Sequence, residues 1–170
     1  MTFFSAYDEP AQGFAVVAGR EHGLSRLVLA AGRVGPDQGG PLHLHHGEEI
    51  LRILSGEAMV RVGDQQRQCG PGDVVIIPAD VLHGFLTQSE VQMEVVAELD
   101  AGQIFPVTDE RGHTELVEVY RADLPWGRPP PAGYAWTTDE RMAEVTARAP
   151  GLARSGPDVD LCGETDPERP

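Results

Sequence analysis

Apolar residues in this chain come in short runs, at 14–17, 24–31, 42–45, 49–54, 58–62, 73–77, 82–86 and 92–98, and each run is closed by residues that turn a backbone. The closures fall at 32–40, at Gly47, at Ser55-Gly56, at Gly63-Asp64, at Gly70-Pro71-Gly72 and at 78–80. Glycine reaches positive φ without a Cβ penalty, proline fixes φ, and aspartate and serine bond their own backbone, so these positions bend the chain for definable reasons. Runs this short suit strands rather than helices, and so many of them predict an all-β sandwich or barrel. The stretch 60–66 reads as a hairpin with Gly63-Asp64 at its tip.

A chain of 170 residues with 41% hydrophobic content can bury one substantial core and has no room for a second full domain. Beyond residue 100 the pattern changes. The run 116–120, LVEVY, predicts one more strand. The segment 125–136 is too rich in proline for a helix, and its Trp126, Tyr134 and Trp136 are expected to pack on the barrel. Residues 137–149 form the one helix candidate, with Thr137 and Glu140 spaced as a capping box and Met142, Val145 and Ala149 on its buried face. The tail 151–170 carries too little apolar surface to offset ordering entropy and is expected to be mobile. The expected organisation is therefore N-terminal strands over 1–35, a core over 36–98, a strand, aromatic segment and helix over 99–150, and the tail.

A formal charge of −14 argues against nucleic acid and anionic membranes as partners, because phosphate binding needs a cationic face. No run of about 18 apolar residues and no basic leader occurs, so the expected location is cytoplasmic. Cys69 and Cys162 are too few for a disulfide framework and are read as free thiols.

The chemistry concentrates in two glycine-bounded stretches. In 39–56, GGPLHLHHGEEILRILSG, His43 and His45 fall on one face of a strand and Glu49 can return from the next, and the stretch 70–87 supplies His83. Three imidazoles and a carboxylate suit one divalent transition metal, whether iron, manganese, nickel, copper or zinc. His46 faces the other side of its strand, and His22 and His113 stand apart from the set. Glu48 would serve in place of Glu49 only with a tighter turn.

The spacing resembles the cupin superfamily. Its first motif, HxH, three residues, Glu, six residues, Gly, is matched by His43, His45, Glu49 and Gly56. Its opening glycine is replaced by Asp37. The second motif is matched by Gly72, Pro78 and His83, with Asp80 in place of a glycine and Thr87 in place of an asparagine. Aspartate tolerates positive φ, so Asp80 can keep the turn. The resemblance, over about 36–98, implies a cupin-type jelly-roll β-barrel with the short C-terminal helix attached, the metal held inside by His43, His45, Glu49 and His83, and a homodimer.

Strict alternation puts Met59, Ile53, Leu51, Val75, Phe85 and Met93 within reach of an apolar interior, and Phe85 and Thr87, at even spacing from His83, are the leading substrate-pocket residues beside Ile53 and Met59. Arg52 and Arg61 are read as solvated. The implied function is a metal-dependent enzyme on a small organic substrate, aromatic or polyketide-like. Dioxygenase-type cleavage stands slightly ahead of nonredox cyclase, isomerase or lyase chemistry, and Glu49 doubles as a catalytic base. A noncatalytic ligand-binding sensor is the alternative from a different class.

Overall fold

Antiparallel pairing assembles eight strands into two facing sheets in the computed structural model, which describes residues 10–121 and 127–152. The strands are β1 (Gly13–Ala18), β2 (Leu27–Val34), β3 (Glu49–Ser55), β4 (Ala58–Val62), β5 (Gln65–Cys69), β6 (Val74–Ile77), β7 (His83–Thr87) and β8 (Val91–Glu98). One sheet runs β1-β2-β8-β3-β6 and the other β5-β4-β7. This interleaved order is the jelly-roll arrangement expected from the motifs. The sheets do not close into a continuous barrel, because β5 and β6 each end a sheet and pair on one side only.

Alternation explains how the core forms. Along β3 the pattern is buried at Glu49, Leu51 and Ile53 and exposed at Ile50, Arg52 and Leu54; along β8, Val91, Met93, Val95 and Ala97 are all turned inward. Leu51, Ile53, Met93 and Val95 from one sheet meet Ala58, Val60 and Cys69 from the other in a single cluster. Each fully buried aliphatic side chain there contributes about 1.5–3 kcal/mol relative to exposure.

Two glycines permit close approaches that a Cβ would block. A Cβ on Gly39 would lie 2.1 Å from the Phe85 carbonyl oxygen, and one on Gly56, at φ +78°, would lie 2.0 Å from that of Glu90. Asp37 and Asp80, which occupy glycine positions of the motif pattern, take φ +56° and +61°. Both therefore keep the left-handed turns those glycines would make.

Beyond residue 100 the chain adds two strands, where the sequence predicted one. β9 (Gln103–Thr108) and β10 (Thr114–Val119) form their own hairpin. β9 escapes the apolar-run reading because QIFPVT mixes polar residues with Pro106. The helix α1 (Asp139–Arg148) packs on β9, with Val145 buried against Phe105, Val107 and Val119 and with Met142 and Ala149 beside it, as its periodicity predicted. Its cap falls one residue later than expected. Thr138 accepts the Arg141 N–H, while Thr137 accepts the Tyr120 N–H on its side-chain oxygen. Tyr134 and Trp136 are exposed rather than packed down, although the Tyr134 ring meets Tyr120 edge-on. Trp126, and the tail from residue 153, lie outside the described residues.

No described helix is long and apolar enough to cross a membrane. The hairpin and helix sit where they support the histidines. Leu44 pairs with Ile104 of β9, and the Leu42 N–H bonds to the Pro150 carbonyl just past α1.

Candidate metal centre

Residues 43–45 lie in an extended segment on the free side of β7, joined to it at a single bridge. His43 and His83 exchange two backbone hydrogen bonds, of 3.0 and 2.8 Å. Directly opposed residues in an antiparallel pair share a face, so the two imidazoles stand side by side, with ring centroids 4.5 Å apart. His45, two residues on, returns to that face at 4.6 Å from His83. The Asp80 N–H clamps the His45 carbonyl at 2.8 Å and so ties the turn before β7 to the His43–His45 segment.

The hydrogen bonds settle which nitrogen of each ring is available. Nδ1 of His43 faces the Pro41 carbonyl at 3.3 Å, that of His45 the Gly47 carbonyl at 2.7 Å, and that of His83 the Val81 carbonyl at 2.8 Å. A carbonyl only accepts, so each Nδ1 carries the proton, and Nε2 is the atom left to bind. One ring nitrogen from each histidine lies within 4.8 Å of the other two. His83 Nε2 is buried and has no hydrogen-bond partner. Leaving such an atom unsatisfied costs about 1–3 kcal/mol, a cost that a bound cation would remove. The three side chains thus fit a metal ion.

Glu49 opens β3, buried, and its Oε2 lies 3.0 Å from His45 Nε2. The mutually close set is the three imidazoles; the carboxylate is tied to one of them. Electrostatics follow this geometry. Burial and the neighbouring His83 hold His43 far below the ordinary imidazole value, at about 3. Burial also lowers His83, against the Val81 carbonyl and the Glu49 charge. His45 differs: burial pulls it down, yet the hydrogen bond and charge of Glu49, with the Gly47 carbonyl, outweigh that and raise it. Burial therefore holds the His43 and His83 rings toward the neutral form, while the Glu49 carboxylate lies against Nε2 of His45.

The predicted pocket residues divide. Phe85 is half-buried on the His83 face, opposite Val60, and packs against the core. Ile53 is wholly enclosed in that core beside its partner Met93. Met59 is a correction: His83 pairs with Val62, so the face alternates through Val60 and leaves Met59, opposite Leu86, on the other side. Thr87 shares the His83 face, but its hydroxyl lies 2.6 Å from the Gly35 carbonyl and 2.8 Å from that of Gln38 and accepts the Gln38 N–H at 2.9 Å. Its donor hydrogen is spent on stapling the 35–38 loop. His46 turns outward to Asp80 at 2.6 Å.

Phe105 escaped the sequence reading. It is fully buried in β9 with its ring centroid 5.7 Å from that of His43, so it forms a wall of the site. The one available signal was its place in a short β-favouring run interrupted by Pro106.

The family model for the cupin domain matches residues 32–100, which span both motifs. Over that span the chain is similar to a cupin domain. No curated protein sequence matches the chain. Among solved structures, it is similar to the polyketide cyclase RemF from Streptomyces resistomycificus, at 21% identity over 69% of this chain and 81% of that one, with a TM-score of 0.48. KdgF from Halomonas sp. matches at 18% identity over 50% and 77% of the two chains, with a TM-score of 0.46. The DMSP lyase DddQ from Ruegeria pomeroyi matches at 30% identity over 51% and 45%, with a TM-score of 0.45. In the present chain the matched segment is followed by the β9–β10 hairpin and α1, which abut the His43 side of the site.

Proposed function

We propose that this cupin is a metal-dependent enzyme acting on a small organic molecule, its divalent transition metal held by His43, His45 and His83 with Glu49 as the fourth donor. The observation that carries this reading is the orphaned Nε2 of His83, buried beside two further imidazoles whose Nδ1 atoms are likewise committed to carbonyls. A metal bound there would supply Lewis-acid polarisation of a substrate oxygen or, if redox-active, dioxygen chemistry. The protein's own contribution is orientation. Carbonyls of Pro41, Gly47 and Val81 fix the tautomers, and Phe105 and the apolar interior limit water around the rings. Glu49, with its Oε2 3.0 Å from His45 Nε2, is a carboxylate beside the three imidazoles that can also act as a base toward a substrate proton, which keeps the nonredox cyclase, isomerase or lyase reading alongside oxidative cleavage.

Elemental analysis tests the site. Wild-type protein should carry close to one equivalent of metal, His45→Ala should lose it, and His46→Ala should keep it, since His46 points away to Asp80. Metal retained in His45→Ala would refute the assignment. With metal restored, turnover of candidate flavonols or diketones that stops under nitrogen marks the oxidative reaction, and turnover that continues marks the nonredox one.

A further inference from the structure

A second feature lies on the same inner face, where the two sheets fail to close. Between β5 and β6 is a cavity of about 410 Å³, within the range of small-ligand sites. Its walls include Val60, Val62, Gln65, Arg67, Asp73 and Val75. The register shows how it relates to the histidines. Val62 stands between His83 on one side and Gln65 on the other, and Val60 between Phe85 and Arg67, so all of these side chains project from one face. Val75, opposite Leu51 on β3, closes the cavity from the other sheet.

Gln65 and Arg67 stand on the face that carries Val60 and Val62, exposed where the edge strand leaves that face open. Arg67 is not consumed by the fold. Among the described residues it pairs with Asp73, at 3.3 Å, and its side chain is 71% exposed. Asp73 is itself engaged, since its other oxygen accepts the Gly70 N–H at 2.9 Å. A guanidinium has five N–H donors in a planar fork, so Arg67 keeps a face for a second carboxylate while Asp73 holds it over the opening. Asp73 lines the same opening, so the clamp rests on the free donors of the guanidinium fork rather than on net positive charge.

We propose that this cavity binds a small, largely apolar organic acid, with its carboxylate on Arg67 and Gln65 and its apolar body along Val60, Val62 and Val75 toward His83. This deepens the enzyme reading by naming the substrate class, and the carboxylate clamp does not itself require the metal. A competing account is that Arg67 only guards an unpaired strand edge against aggregation, for which any charge would serve.

Benzoate and benzamide share a ring and differ in charge, so an amide-shift NMR titration of the full chain with each, in chelator, measures the clamp without metal. Benzoate should bind at least roughly tenfold more tightly than benzamide, in line with a charge-assisted hydrogen-bonded pair, and should shift the Val60, Val62 and Val75 amides. Both Arg67→Gln and Arg67→Lys should abolish that preference, the lysine because it keeps the charge and loses the fork. Arg67 is exposed, so both variants should fold, which circular dichroism checks. Equal binding of the two probes, a preference that survives in Arg67→Lys, or shifts confined to another face would overturn the proposal. A benzoate preference that appears only after metal is restored would overturn it too while leaving the metal centre standing. The preference found in protein that takes up no metal would support the clamp and remove the enzyme reading alone.

Discussion

His83 is buried with one ring nitrogen satisfied and the other not, so replacing it should separate stability from function. In metal-free protein, His83→Leu removes an orphaned Nε2 that costs about 1–3 kcal/mol. It also removes the hydrogen bond from Nδ1 to the Val81 carbonyl, which contributes about 1 kcal/mol. The leucine fills a similar volume next to Val62, so the cavity term is small. The balance is a metal-free protein between unchanged and about 2 kcal/mol more stable, or up to about 8 °C higher in Tm at about 2–4 °C per kcal/mol for a chain of this size. With metal added the order reverses. Wild type gains about 4 kcal/mol at a metal concentration a thousand times Kd, whereas the variant gains nothing. Differential scanning calorimetry with chelator and with excess zinc reads both arms. A metal-free His83→Leu that melts well below wild type, or one that still gains stability from zinc, would refute the reasoning.

The remaining predictions concern protons, a staple and a glycine. In chelator, stability should peak near the unfolded histidine pKa of about 6.5. His43 and His83, both lowered, lose stability as pH falls below it, by about 1.4 kcal/mol per pH unit each, down to about 3 for His43, while His45, raised, loses it as pH rises. Melting curves between pH 5 and 8 should show this maximum, with a flatter acid limb in His43→Gln; a steady rise in stability toward pH 5 would contradict it. Thr87→Val should cost about 2–3 kcal/mol in urea denaturation, since it strips partners from the Gly35 carbonyl and Gln38 N–H, while metal content stays at the wild-type level. Loss of metal instead would return Thr87 to the site. Gly56→Ala should destabilise by more than the ~1 kcal/mol of a left-handed alanine alone, because its Cβ would collide with the Glu90 carbonyl at 2.0 Å; an unchanged urea midpoint would show that the turn yields.

The convergence of the histidines and the turn positions were legible because they depend on local geometry. His43 and His45 share a face through the two-residue period of an extended chain, Asp37 and Asp80 take left-handed turns because their short polar side chains permit it, and Val145 marks the helix face through its 3.6-residue period. The N-terminal cap of α1 moved by one residue, within the ordinary uncertainty of helix ends, because the Thr137 side chain is taken by Tyr120 from outside the helix.

What the sequence alone determined was a turn-rich β fold with three histidines and a glutamate spaced for convergence, since strand period and turn chemistry act within a few residues. Tertiary structure alone decided which nitrogen each histidine offers, that Glu49 bonds to His45, that Thr87 is spent on the 35–38 loop, and that Phe105 walls the site. It also placed Arg67 on the inner face: QQRQC has no apolar alternation to show which side faces in, and only its pairing with Ala58, Val60 and Val62 supplies that. These are contacts between residues as many as 62 positions apart, as from His43 to Phe105, and their energies depend on sheet register and burial, which no local pattern encodes.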